Sequence, residues 1–202
     1  MTLPKHYVLL LSTLFLLASF QVNAGEVTVT VIDNLGTPIA NAVVYAEPIG
    51  KIAPMSISSG MVEQKNKQFI PLVTVVQTGS NINFPNRDLV RHHVYSFSPA
   101  KTFELKLYSG IPANPVLFDK AGTVVLGCNI HDNMLAYIHI VDTPYFAKTD
   151  DNGKVKLNDL PNGQYHLKVW YNATTKVNLI TEQNLNVKGS ESANFKLETR
   201  TK

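Results

Sequence analysis

From Glu26 onward the chain consists of short runs of β-branched and aromatic residues, each closed by Gly, Pro, Asn or Asp. No window in this stretch holds a convincing 3.6-residue apolar period. Val27, Val29 and Val31 alternate along the first run, and Asp33-Asn34-Leu35-Gly36 turns the chain. Ile39 to Ala46 forms a second apolar run, closed by Pro48 and Gly50. Further strands are expected at Phe69–Gln77, Asn81–Phe84, His93–Ser98, Thr102–Tyr108, Thr123–Leu126 and Leu135–Val141. Short strands at this spacing predict an all-β fold, a sandwich or barrel.

The start of the chain has a different texture. Lys5 and His6 precede an uncharged apolar stretch from Tyr7 to Phe20, and Val22-Asn23-Ala24 follows. A basic end, an apolar core and a small-residue site read as a secretory signal peptide over residues 1–24, cut after Ala24. The apolar run is shorter than the roughly 20 residues that span a bilayer. The expectation is an exported, periplasmic protein with no membrane span after cleavage.

A single cysteine sharpens the picture. Cys128 has no partner in the chain for a disulfide, and a lone thiol in an oxidising compartment is prone to oxidation. It is tolerated when deeply buried, paired with another chain or bound to a metal. Charged residues make up 16% of the chain and net charge is +3, with Lys and Arg scattered. No basic run of the kind that grips phosphates is present, so nucleic acid is not an expected partner.

The residues that carry chemistry cluster in two places. Cys128, His131 and Met134 share one short loop after the run Gly122 to Gly127. His92 and His93 stand upstream, at the start of another strand. Thiolate, imidazole and thioether together make the His₂Cys set with a weak axial Met that holds copper in electron-transfer sites. The soft sulfur donors favour Cu(I), and imidazole suits both oxidation states. Strand alternation sets His92 with Val94 and Ser96, and His93 with Tyr95 and Phe97, which does not choose between them. His139 and His166, also on strands, are expected to be partly buried or exposed bystanders. Trp170 and Tyr165 are expected in the core of a C-terminal sandwich.

Residues 60–142 resemble the cupredoxins, the plastocyanin- and amicyanin-like blue copper proteins. The C-x2-H-x2-M loop is similar to that of amicyanin, and Gly122 to Cys128 to the G-x-Y-x-x-x-C lead-in of plastocyanins. Phe69-x-Pro71, then Gly79 to Phe84-x-Asn86-x-Asp88, resembles the run ahead of that family's first histidine. The chain also resembles secreted cupredoxin-like proteins grouped under methylamine utilisation. The resemblance implies a Greek-key β-sandwich holding one type 1 copper ion. Carried over, His92, Cys128 and His131 fall on the equatorial ligands and Met134 on the axial one. His93 stands where the family has Asn, a residue that commonly pins the ligand loop. In such proteins the loop histidine sits at the surface amid apolar residues, for which Ile130, Leu135 and Pro112 are candidates here.

Two further patterns resemble the carboxypeptidase regulatory-like, transthyretin-type β-sandwich. One is V-x-D-x-x-G-x-P-x-x-x-A-V-V from Val31 to Val44; the other is T-D-x-x-G…L-P-x-G-x-Y-x-L from Thr149 to Leu167. In that family the two adjoin. Here they are far apart, which suggests that segments 25–50 and 145–200 form one sandwich split by insertion of the cupredoxin domain.

The function implied is electron transfer between redox partner proteins. A copper-binding or delivery protein, or a structural protein on the same fold, is the alternative. An enzyme is not expected: G-x-S-x-G, H-E-x-x-H and an obvious paired acid and base are all missing.

Overall fold

A computed structural model describes residues 24–175 and 179–200. Every regular element among them is a strand, and no helix there is long and apolar enough to cross a membrane. The all-β class is therefore what the chain adopts. Residues 1–23 of the expected signal peptide lie outside the described residues.

The chain opens with β1 (Ala24–Asp33) and β2 (Val43–Pro48). Ten strands follow: β3 (Ser59–Met61), β4 (Glu63–Lys65), β5 (Gln68–Ile70), β6 (Val73–Gln77), β7 (Ser80–Asn83), β8 (His92–Ser98), β9 (Lys101–Tyr108), β10 (Val116–Phe118), β11 (Gly122–Gly127) and β12 (Leu135–Val141). The last five are β13 (Phe146–Lys148), β14 (Lys154–Pro161), β15 (Gly163–Trp170), β16 (Ile180–Val187) and β17 (Ser190–Leu197).

In β1 the alternation read from sequence has a direct consequence. Val27, Val29 and Val31 are fully buried, while Thr28 and Thr30 are half-exposed. The strand ends where Asp33 Oδ1 accepts the amides of Leu35 and Thr37, both at 2.8 Å, and Gly36 takes φ 86°. β1 lies between β14 (antiparallel) and β17 (parallel); β2 lies between β13 and β15. Every strand paired with β1 or β2 in these ladders thus follows residue 145. The two sheets, β14-β1-β17 and β13-β2-β15-β16, share one core that includes Val29, Val44, Leu157, Leu167 and Phe195. The apolar run at Ile39–Ala46 is only partly strand. Its first residues turn instead, tied by the buried Thr149 hydroxyl, which donates to Ile39 O and accepts from Ala42 N.

A five-stranded sheet, β6-β12-β11-β8-β9, covers a second core built around Phe84, Phe103 and Phe118. The sheet β10-β7-β3 and the hairpin β4-β5 complete this part of the chain. Where one long strand is expected at 69–77, Pro71 interrupts it, and β5 and β6 join different sheets.

A third, smaller core lies between the two groups of sheets. Val43, Tyr45 and Trp170 from β2 and β15 meet Val73 and Val141 from β6 and β12. His139 belongs here: it is 2% exposed and stacked on Trp170, so it is a buried junction residue rather than a bystander. Trp170 packs at the same junction, while Tyr165 packs inside the core of the β1 and β2 sheets. His166 is half-buried on β15.

Candidate metal centre

β8 and β11 deliver the site from neighbouring positions in one sheet. Along β8, His92, Val94 and Ser96 are fully buried, whereas Tyr95 is half-exposed and Phe97 exposed. β9 carries a bulge opposite the step from His92 to Val94, which bends the strand at the entry of the histidine. β11 ends at Gly127, paired with Tyr95, and Cys128 follows as a buried free thiol. The chain then turns back, with Met134 N donating to His131 O at 3.0 Å.

This folding places three donor atoms together. Ring nitrogens of His92 and His131 and the sulfur of Cys128 all lie within 4.8 Å of one another. The two imidazoles sit 5.0 Å apart, inclined at 59°. Nδ1 of both histidines is buried without a hydrogen-bond partner. An unpartnered buried acceptor is costly, and a cation between the three donors satisfies all of them. Donors each about 2.0–2.3 Å from an ion lie within roughly 4.6 Å of each other, a little under the 4.8 Å within which these three lie. Met134, 2% exposed, belongs to the same core and lines the same cleft as Cys128. The residues therefore fit a metal with imidazole, thiolate and thioether donors, the set that suits copper.

His93, one position on, goes elsewhere. Its Nε2 meets Glu104 Oε1 at 2.8 Å and its ring lies against Tyr95. It is His92 whose ring nitrogen lies with Cys128 and His131. At the rim, His131 is half-buried, and Ile130 and Leu135 are exposed; Pro112 is half-buried.

The supporting shell was not legible in the sequence. His92 Nε2 meets Asp88 Oδ2 at 2.7 Å. A carboxylate only accepts, so Nε2 carries the proton and Nδ1 keeps its lone pair for a cation. Burial acts to raise the pKa of Asp88, but the amide of Lys67, the His92 ring and the amide of Asn66 outweigh it and hold the carboxyl below its usual range. Asn86 fastens the same loop, donating Nδ2 to Val90 O and Tyr108 O and accepting from Asp88 N. The buried Gln64 donates to Phe84 O and to the Tyr108 hydroxyl, which itself donates to Phe84 O. Burial pushes the Tyr108 phenol up to about 12, against the pull of Gln64 and with a smaller push from Cys128. The sequence motif named Asn86 and Asp88 but not what they bind, and the i, i+4 spacing of Asp88 and His92 has no fixed meaning in a loop.

No protein-family model matches the chain, and no curated protein matches it. Among solved structures, it is similar to a purple cupredoxin from Nitrosopumilus maritimus at 15% identity, covering 40% of this chain and 98% of that one, with a TM-score of 0.36. An amicyanin variant in its Cu(I) form matches at 17% identity, 48% and 98% coverage and a TM-score of 0.37. A copper-containing nitrite reductase from Thermus scotoductus matches at 20% identity and a TM-score of 0.37, covering 55% of this chain but only 28% of that one. Side-chain geometry across residues 84–134, rather than these partial likenesses, is what bears on function.

Proposed function

We propose that this chain is an exported electron carrier of the cupredoxin class, holding one type 1 copper ion. His92 Nδ1, His131 Nδ1 and Cys128 Sγ would hold it, with the Met134 thioether as a weak fourth donor. The observation that carries this reading is the convergence of three donors within 4.8 Å, two of them buried nitrogens with no other partner. When bound, copper supplies a one-electron couple. The chain's own residues fix its surroundings: Asp88 orients His92, the β11–β12 loop carries Cys128, His131 and Met134 and is closed by Met134 N donating to His131 O, and a buried phenylalanine core packs with Cys128 and Met134. A site that moves little between oxidation states exchanges electrons readily. Electrons pass to and from redox partner proteins at the half-buried His131, whose surroundings include the exposed Ile130 and Leu135.

We also read segments 25–50 and 145–200 as one carboxypeptidase regulatory-like unit, with the cupredoxin domain of 60–142 inserted into it. The pairing of β1 and β2 with β13, β14, β15 and β17 supports that division. Voltammetry of the copper-loaded protein tests the carrier role. A reversible one-electron wave with fast exchange is expected; copper that binds but exchanges electrons only sluggishly points to storage or delivery instead.

A further inference from the structure

We propose that Asp88 is a positioning residue that sets the balance between Cu(II) and Cu(I), and that the Asn66–Lys67 turn holds its charge in place. This rests on the copper reading above.

The hairpin β4-β5 brings its tip against the loop that precedes His92. Asn66 and Lys67, at its turn, both take positive φ, 54° and 56°. Consecutive left-handed residues form the twisted turn that suits a two-residue hairpin. Here both amides point at one carboxylate: Asn66 N donates to Asp88 Oδ1 at 2.7 Å and Lys67 N to Oδ2 at 2.9 Å. The backbone of Asp88 is fixed as well, its N–H donating to Asn86 Oδ1 at 2.9 Å. Gln64 and the Asp88 loop are further stitched by Gln64 N to Pro85 O and by Arg87 N to Gln64 O, both 2.8 Å.

With two amides and His92 all donating to it, the carboxylate has one orientation and a held negative charge. Two effects on the metal follow. The bond from Nε2 stops the imidazole from rotating and fixes the tautomer that presents Nδ1. The charge, one imidazole ring away from the metal, favours the more highly charged Cu(II) over Cu(I). Partners of this kind change metal affinity by roughly 10–100-fold when removed.

Asp88→Asn keeps the shape and an acceptor oxygen but removes the charge; Asp88→Glu restores the charge with a longer arm. Chelator competition with Cu(II) and Cu(I), together with the reduction potential, reads the difference. For Asp88→Asn, Cu(II) affinity is expected to fall about tenfold more than Cu(I) affinity, which raises a one-electron potential by about 59 mV. Asp88→Glu is expected to recover part of that change. Equal loss of both affinities at unchanged potential overturns the proposal and leaves Asp88 a structural residue. Imidazole nitrogen spectra of the wild-type Cu(I) protein give the answer even where a variant does not fold. They should show the His92 proton on Nε2, and a proton on Nδ1 overturns the proposal. Failure of the wild-type protein to bind copper sinks the copper reading itself; a coloured wild type with an unmoved Asp88→Asn potential sinks only the role of Asp88.

Discussion

The imidazole of His139 lies flat on the indole of Trp170, with ring centroids 4.7 Å apart and planes 11° from parallel. One ring comes from the sheet that carries the candidate metal ligands and the other from β15, so this stack joins the two cores. His139 Nδ1 meets the Thr123 hydroxyl at 3.1 Å, and Nε2 is buried without a partner. Burial lowers the His139 pKa from 6.5 to about 4.

A pH dependence follows from that stack. The folded pKa is depressed, so folding favours the neutral ring. The contribution is complete above about pH 6.5 and is lost as pH falls towards about 4. Keeping the ring neutral over that interval is worth about 3 kcal/mol. Urea unfolding at stepped pH should show stability falling across this window in wild type and a flatter profile in His139→Phe. Equal slopes in both proteins contradict the assignment.

Tyr95 lies over Gly127 closely enough that a side chain there would have to push the ring aside. A Cβ on Gly127 meets the Tyr95 ring at 2.8 Å. Gly127→Ala should cost about 1–3 kcal/mol by overpacking. Adding Tyr95→Ala should recover part of the loss, which a double-mutant cycle in urea measures. Additive losses would mean that the ring is not the obstacle.

Thr149 tests how the ends of the chain close on one another. Its hydroxyl, 4% exposed, bridges Ala42 N and Ile39 O, more than a hundred residues earlier. Thr149→Val leaves both backbone groups without a partner and should destabilise by about 1–3 kcal/mol. The copper spectrum should not change. A changed spectrum would couple the first strands to the metal in a way the packing does not explain.

What the sequence disclosed tracks how local each signal is. Alternation at Val27, Val29 and Val31 named the buried face of β1, because a strand's period of two needs no knowledge of its neighbours. The spacing of Cys128, His131 and Met134 put three candidate donors on one loop for the same reason. Alternation did not choose between His92 and His93; only position in the family motif favoured His92, and that His93 turns to Glu104 was not readable from it. His139 looked like an ordinary strand residue because what covers it, Trp170, comes from a separate part of the chain. Gln64, in a three-residue strand, gave no hint that it is fully buried, and Asp88 was named only as part of a motif, with no hint that it grips an imidazole.

The two upstream histidines should behave differently. His92→Ala removes a converging donor and should abolish the thiolate-to-copper colour of the proposed site. His93→Ala breaks a bond to Glu104 and should keep the site, with up to about 10–100-fold weaker copper binding through the loosened β8–β9 support. Copper titrations of both variants, followed by colour and stoichiometry, compare them. Loss of the site in His93→Ala alone would reverse the ligand assignment.

The central claim, copper held by Cys128 together with His92 and His131, is tested most directly by adding Cu(II) to the wild-type protein and recording its visible absorption. An intense thiolate-to-copper band should grow to one equivalent and stop, and Cys128→Ser should abolish it, since a hydroxyl does not replace the thiolate. Met134→Leu should keep the band. A wild-type protein that stays colourless with Cu(II), or a Cys128→Ser variant that keeps the band, would contradict the account.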